Sequence, residues 1–362
     1  MQYNVIGLMS GSSLDGLDIA FVHFEETAGK WDYEIQESAC IPYSSEWKKN
    51  LSTAGILTAK DYLILHTKYG HYLGHCVNNF LEEKNLVYRV QLVASHGHTA
   101  FHNPSEFMTA QLGDGAAIAS VTGIRTITDF RSVDVALGGQ GAPIVPIGEK
   151  ILFSEFDFFL NIGGIANLSA NINSFIGFDV CPANRVLNML AIKTEKGFDE
   201  NGKIASSGKI NEKLLDLLDN QTYYQMPYPK SLSNEFGLNE LLPIILNEGL
   251  STPDALRTYV EHIVNQVSKS LIQIKNGVKA KPDLRLLITG GGAHNSFLIE
   301  RLKDKIKITG IEPVIPSDNL IDYKEALVIA LMGALRWRED INVMRSVTGA
   351  SKDSVNGTIW AV

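Results

Sequence analysis

Three glycine turns each follow a run of apolar residues: Ser10-Gly-Ser-Ser-Leu-Asp-Gly16, Asn161-Ile-Gly-Gly-Ile-Ala-Asn167 and Thr289-Gly-Gly-Gly-Ala-His-Asn295. Glycine leaves the backbone open, so N–H groups in such turns can approach phosphate oxygens that a side chain would hold off. One such turn alone reads better as a tight hairpin. Three at comparable positions point to a nucleotide site. The hydroxyls of Ser10, Ser12 and Ser13 add donors to the first turn. The third opens a helical pattern, and a helix N-terminus suits phosphate or packing beneath a nucleobase. There is no G-x-x-x-x-G-K-[ST] run, and the strand-to-strand setting of the first two turns does not match a dinucleotide fingerprint.

Asp179 follows the apolar run Phe-Ile-Gly-Phe and precedes Cys-Pro-Ala-Asn. A carboxylate at such a strand end can take a proton from a nucleophile as phosphate transfers. It could equally cap the helix that starts near Arg185, as could Asn184. Residues 95–104 crowd His96, His98 and His102 together, but no Cys or Glu at zinc spacing accompanies them. They read as a polar sugar-binding turn, or singly as hydrogen-bonded structural residues. Residues 128–143 combine Asp129, Arg131, Asp134 and Gln140 with three glycines, a mixture suited to a loop that hinges and binds polar groups. An Arg–Asp pair bracing that loop is the plainer reading. Glu325 is read at the first turn of a C-terminal helix, where it either complements the helix dipole or reaches a sugar hydroxyl. Cys181 reads as wall.

The elements that must position these groups follow a repeating pattern. Strand, glycine turn and strand occur at residues 3–24 and again at 156–172, each opening a mixed β/α half. Helical spacing runs over residues 60–86 and again over 254–274, and the third glycine turn sits between a strand and a helix. The repeat predicts two related α/β domains facing each other across a cleft, with the crossover near residues 130–145. A chain of 362 residues suits two cores.

Bulk composition narrows the partners. With 45% hydrophobic and 20% charged residues the chain has a globular profile. A net charge of −8 disfavours a protein that mainly grips nucleic acid. Three scattered cysteines suggest neither a disulfide framework nor a zinc site. The N-terminus lacks signal-peptide character, and no apolar run nears the ~18 residues of a membrane span. A soluble, cytoplasmic protein is the expectation.

Eight blocks occur in order over nearly the whole chain: GLMSGSSLDGLDIA, SHGHTAFHNP, QLGDGAAIA, TDFRSVDVALGGQGAPIVP, NIGGIANLS, PKSLSNEFG, ITGGGAHN and KEALVIALMGALR. In these the chain resembles the anhydro-N-acetylmuramic acid kinase family of the actin/hexokinase/Hsp70-like superfamily. The resemblance implies two related actin/ribonuclease H-like domains with mixed sheets flanked by helices and an ATP cleft between them. The domains are expected at 1–130 with the tail 345–362, and at 131–344. It implies a kinase that opens the 1,6-anhydro ring of a recycled cell-wall sugar and phosphorylates it, using ATP and Mg2+, as a homodimer. Asp179 would activate the attacking water. Gly11, Ser12, Ser13, Leu14, Asp15, Gly16, Leu17 and Asp18 would hold phosphates, with Gly163 and Gly164 as a second phosphate turn. Gly290, Gly291 and Gly292 would approach the adenosine, and His96, Arg131, Asn184 and Glu325 would face the sugar. The sequence does not resolve the metal ligands. After Asp179 the family usually carries Thr-Gly-Pro-Gly-Asn, whereas this chain has Val180-Cys181-Pro182-Ala183-Asn184, and His98 stands where Gln is usual. The added side chains are expected to narrow the sugar pocket or to block a backbone approach. A related anhydro or amino sugar is therefore the alternative substrate, and an ATP- and sugar-binding sensor the alternative class.

Overall fold

The computed structural model describes residues 1–362 except 12, 173, 193, 195, 196, 229, 234 and 278–282. The chain forms two compact units, Met1–Ser154 with Tyr323–Val362, and Glu155–Asp322.

In the first unit, β1 (Gln2–Ser10), β2 (Gly16–Thr27) and β3 (Lys30–Pro42) form an antiparallel meander. β4 (Leu92–Ser95) lies parallel to β1 on its other side, and after the hairpin of β5 (His98–Asn103) and β6 (Met108–Leu112), β7 (Thr126–Thr128) lies parallel to β4. The sheet order is thus β3-β2-β1-β4-β7, with Thr358–Trp360 closing the edge. β1 is buried without interruption from Val5 to Leu8, the pattern of a strand covered on both faces. One cover is the helix Asp318–Trp337, whose Ala326 carbonyl comes so close that a Cβ on Gly7 would overlap it. The other is the helix Ala59–Glu83, capped by the Thr58 hydroxyl and buried along Leu65, Tyr69, Leu73, Val77 and Phe80. That three- and four-residue spacing places one apolar stripe on the sheet.

The second unit repeats this plan. β8 (Phe158–Ile162), β9 (Ile165–Ile172) and β10 (Ser174–Pro182) form the meander, and β11 (Leu284–Thr289) and β12 (Ile311–Val314) continue in parallel from β8. The order β10-β9-β8-β11-β12 matches β3-β2-β1-β4-β7 strand for strand and direction for direction. The helix Thr252–Asn276, capped by Ser251, buries Leu256, Tyr259, Val260, Ile263, Val267 and Leu271 in this unit's core. The two related α/β domains read from the repeat are therefore present, as mixed sheets flanked by helices.

The boundaries fall elsewhere than expected. The units divide at 154/155 and 322/323, not near 130 and 345. The reason is the loop 128–143, which is bound into the first unit. Fully buried Asp134 accepts from the Gly141 N–H at 2.8 Å and the Thr348 hydroxyl at 2.7 Å, and its own N–H donates to Asn356 at 3.0 Å. Further on, Glu149 of the helix Pro146–Leu152 forms a buried ion pair with Lys324 at 2.7 Å.

Candidate active site

The first two glycine turns occupy the same place in their respective units. The first joins β1 to β2, and the second joins β8 to β9. A Cβ at Gly11 would meet only the Ser13 hydroxyl at 3.7 Å, and at Gly163 or Gly164 nothing nearer than 3.5 Å. The fold therefore tolerates a side chain at these positions, and glycine there keeps the backbone open toward a ligand. Gly16 differs, since a Cβ would stand 2.6 Å from the Ile41 carbonyl oxygen. Its smallness serves the β2–β3 pairing. Leu14 takes a left-handed φ of 57° and donates to Gly11 O at 3.4 Å, which closes the turn. Within the expected phosphate segment 11–18 the turn itself spans 11–15, while Leu17 is buried in the core and Asp18 lies within β2 opposite Met9. Ser12 lies outside the described residues.

The third turn follows β11 as His96-Gly97 follows β4, an equivalence the sequence reading missed because the residues differ. Gly290 has φ 81° and ψ 162°, a region essentially reserved for glycine. Its open face lies against β8, where a Cβ would sit 2.6 Å from Asn161 Oδ1.

Asp179 lies on edge strand β10, half-buried, just before a bulge between Asp179 and Cys181. It does not cap the helix Asn184–Leu190. Its Oδ1 accepts from Asn167 Nδ2 at 3.0 Å and its Oδ2 from the Leu232 N–H at 2.8 Å. The backbone is clasped too: its N–H donates to Lys230 O at 3.1 Å, and the Tyr223 hydroxyl donates to its carbonyl at 2.6 Å. Lys230 in turn donates to Tyr223 O and lies 4.6 Å from the Tyr223 ring centroid. The carboxylate is thus aimed by donors from two sides. With two of its roughly four acceptor positions taken, it keeps room for a proton.

The altered residues after Asp179 do not face this carboxylate. Val180, Cys181 and Ala183 are each at most 1% exposed and belong to the apolar core of the second unit. The bulge inserts one extra residue and turns Val180 and Cys181 inward. The expected narrowing of the sugar pocket is corrected by this: the extra side chains fill the core instead. Burial pushes the Cys181 thiol far above its ordinary value, as befits a wall residue.

Asn184, expected at the sugar, lies among the glycine turns. Its amide donates to Ile162 O at 3.1 Å and its N–H to Gly163 O at 3.1 Å, while a Cβ on Gly291 would stand 3.8 Å from its side-chain nitrogen.

In the first unit the histidines separate into different tasks. His98 bonds Ser10 Oγ at 3.0 Å, and Ser10 also accepts from Tyr43, which meets Tyr69 at 2.6 Å. This buried chain fixes the end of β1, where the first glycine turn begins. His102 meets Thr109 at 3.1 Å. His96 is 4% exposed with both ring nitrogens engaged: Nδ1 with Gly97 O at 2.9 Å, and Nε2 accepting from Arg131 Nε at 2.9 Å. It therefore stands behind Arg131 and offers a ligand no free nitrogen. Arg131 also donates to Gly141 O, so His96 and Gly141 brace the loop, rather than a direct Arg131–Asp134 pair. Glu325 does not sit in the first helical turn, because the helix begins at Asp318 and places it two turns in. Its carboxylate reaches solvent yet is crowded by protein, which pushes it above the ordinary Glu value against the pull of Lys324 and Arg131.

Burial and the Arg131 charge hold the His96 imidazole down to about 3. As pH falls through about 6.5 the unfolded chain takes up a proton that folded His96 refuses, so acidification favours unfolding. We expect the denaturation midpoint to fall steadily from pH 7 to pH 5. His96 alone accounts for about 2 kcal/mol, at about 1.4 kcal/mol per unit below 6.5. Denaturant melts across this range check it, and a flat or rising midpoint would refute the neutral, buried imidazole.

A family model described as anhydro-N-acetylmuramic acid kinase matches residues 3–362. The chain belongs to this family. The anhydro-N-acetylmuramic acid kinase of Haemophilus influenzae is 34% identical, covering 98% of this chain and 97% of its own. That of Aliivibrio fischeri is 34% identical over 98% of each chain, and that of Sulfurovum sp. 32% over 98% of each. Among solved structures, component A of the (R)-2-hydroxyglutaryl-CoA dehydratase of Acidaminococcus fermentans is 13% identical with a TM-score of 0.43, covering 91% of this chain and 97% of that one. Membership of the anhydro-N-acetylmuramic acid kinase family rests on the sequence matches, which cover nearly the whole chain.

Proposed function

We propose that this chain uses ATP to convert 1,6-anhydro-N-acetylmuramic acid into N-acetylmuramic acid 6-phosphate and ADP in cell-wall recycling. Asp179 takes a proton from a water whose oxygen bonds to the anomeric carbon, and the bond from that carbon to O6 breaks. O6 then bonds to the γ-phosphorus as the bond to ADP breaks, and the proton passes to solvent. The observation that carries this reading is the Asp179 carboxylate, fixed by Asn167 and Leu232 in the unit that also bears two glycine turns. Backbone N–H groups of the turns at 11–15, 163–164 and 290–292 hold the nucleotide, since phosphoryl transfer is served mainly by position and electrostatics. Asn184 lines the nucleotide turns, Arg131 and Glu325 meet polar groups of the sugar, and His96 holds Arg131 in place.

Among the described residues no group of three or more His, Cys, Asp or Glu is placed to hold a metal ion. Magnesium needs no such cage, because it retains water and binds through phosphates and one or two carboxylates. Asp15 and Asp18 are the carboxylates of the first glycine segment that would hold it. When bound it neutralises charge on the transferring phosphate.

We further propose a cytoplasmic location and a homodimer, in line with the resemblance. No described helix is long and apolar enough to cross a membrane.

The purified protein, given Mg-ATP, is expected to favour the anhydro sugar over N-acetylmuramic acid and N-acetylglucosamine by at least ~100-fold in kcat/KM, as a site built for one ring geometry should. Preference for a sugar without the anhydro bridge would overturn the substrate assignment.

A further inference from the structure

Asn161 interrupts the otherwise apolar β8, Asn167 lies on the polar face of the alternating β9, and pairing brings them together. In the β8–β9 register Asn161 lies opposite Asn167, and in the β9–β10 register Asn167 lies opposite Asp179. Paired positions share a face, so the three side chains form one row across three strands. The next row, Leu160, Leu168 and Phe178, points into the core.

The row has a direction. Asn161 Nδ2 donates to Asn167 Oδ1 at 3.1 Å, and Asn167 Nδ2 donates to Asp179 Oδ1 at 3.0 Å. At the far end of the row the Asn161 oxygen lies on the Gly290 side and the amide nitrogen toward Asn167. A terminal amide has one donor end and one acceptor end, so fixing Asn161 fixes which end of Asn167 meets the carboxylate. A carboxamide turned the other way would place its oxygen against Asp179.

We propose that Asn161 and Asn167 are positioning residues: a two-amide relay, beginning beside Gly290, that presents a donor to Asp179 and keeps its carboxylate aimed. The proposal rests on Asp179 being the base. The relay starts at the first glycine of the third turn, so one row of side chains joins a nucleotide-binding element to the base within a single sheet.

The ionisable groups around Asp179 are Cys181 on its own strand, and Tyr223 and Lys230 from the segment beyond the edge. Burial holds the thiol and the phenol neutral through the ordinary assay range, so neither titrates with the base. The test is the pH dependence of kcat/KM in Asn167→Asp, Asn167→Leu and Asn161→Asp, with thermal melts confirming folding. Asn167→Asp sets a second carboxylate against the base, and the acid limb should move up by about one unit or more. Asn161→Asp never touches Asp179, but it draws the Asn167 amide nitrogen to itself. The acid limb should move the same way by a smaller amount. Asn167→Leu should lower kcat by roughly 10- to 100-fold while leaving the KM for ATP within about threefold. Acid limbs that stay in place in both aspartate variants, whether activity is lost or kept, would overturn the relay. Wild-type turnover in Asp179→Asn would instead remove the base assignment beneath it, so the two failures are distinguishable.

Discussion

Asp179→Asn should lower kcat by about 10²- to 10⁴-fold, the range lost with a positioned general base, while the Kd for ATP stays within about threefold. The substitution keeps shape and volume, and the amide can still meet either of the two donors that hold the carboxylate through its oxygen. What it cannot do is accept a proton. The clasp on the backbone of residue 179 does not depend on its side chain: the N–H donates to Lys230 O and the Tyr223 hydroxyl donates to the carbonyl. It should survive the change, so the protein should melt normally. Single-turnover kinetics with the anhydro sugar, beside calorimetric titration with ATP, read both quantities. Near-normal turnover would remove Asp179 from the chemistry.

Gly290→Ala is expected to weaken ATP binding by at least tenfold and to cost about 1–3 kcal/mol of stability. Two independent effects combine. The backbone at φ 81° and ψ 162° excludes a Cβ on conformational grounds. The added carbon would also stand 2.6 Å from Asn161 Oδ1 and 2.9 Å from the Ile162 backbone. Either the turn or β8 must shift, and both belong to the proposed nucleotide and base machinery. Gly164→Ala provides the contrast: its Cβ meets nothing nearer than 3.7 Å, so stability should hold and any loss should appear in nucleotide affinity. Melting temperatures and ATP titrations of the two variants check this. Equal stability loss in both would show that the third turn is no more constrained than the second.

Much of the fold was legible because its repeat is written in local signals. Strand, glycine turn and strand mark β1–β2 and β8–β9, and an apolar stripe marks the helices Ala59–Glu83 and Thr252–Asn276. What was not legible depends on contacts distant in sequence. The domain boundary was misplaced because Asp134 reads locally as part of a hinge, yet its partners Thr348 and Asn356 lie over 200 residues away. Glu325 was placed in a first turn because the helical pattern was read only from Asp322, whereas the helix begins one turn earlier, at Asp318. The direction of Val180, Cys181 and Ala183 turned on a bulge, which reverses the faces expected from simple alternation.

The site was legible in its glycines and in Asp179, and less so in its supports. Asn161 and Asn167 flank the second glycine turn and read as part of it. Asn161 carries a signal, a polar side chain within the apolar β8, whereas Asn167 is one of several polar residues in the alternating β9, and only the cross-strand register joins them to Asp179. His96 was expected at the sugar because it sits in a histidine-rich turn. Its burial and its bond to Arg131 place it one step back.

The central claim is that water opens the anhydro ring while ATP phosphorylates the oxygen released. One reaction tests it most directly: the protein, Mg-ATP and the anhydro sugar in oxygen-18 water, quenched early by borohydride reduction to stop anomeric exchange, with the product oxygens located by mass spectrometry. One heavy oxygen is expected at the anomeric carbon and none in the bond joining carbon 6 to phosphorus. A heavy oxygen in the phosphate ester, or a phosphosugar with its anhydro bridge intact, would contradict the claim.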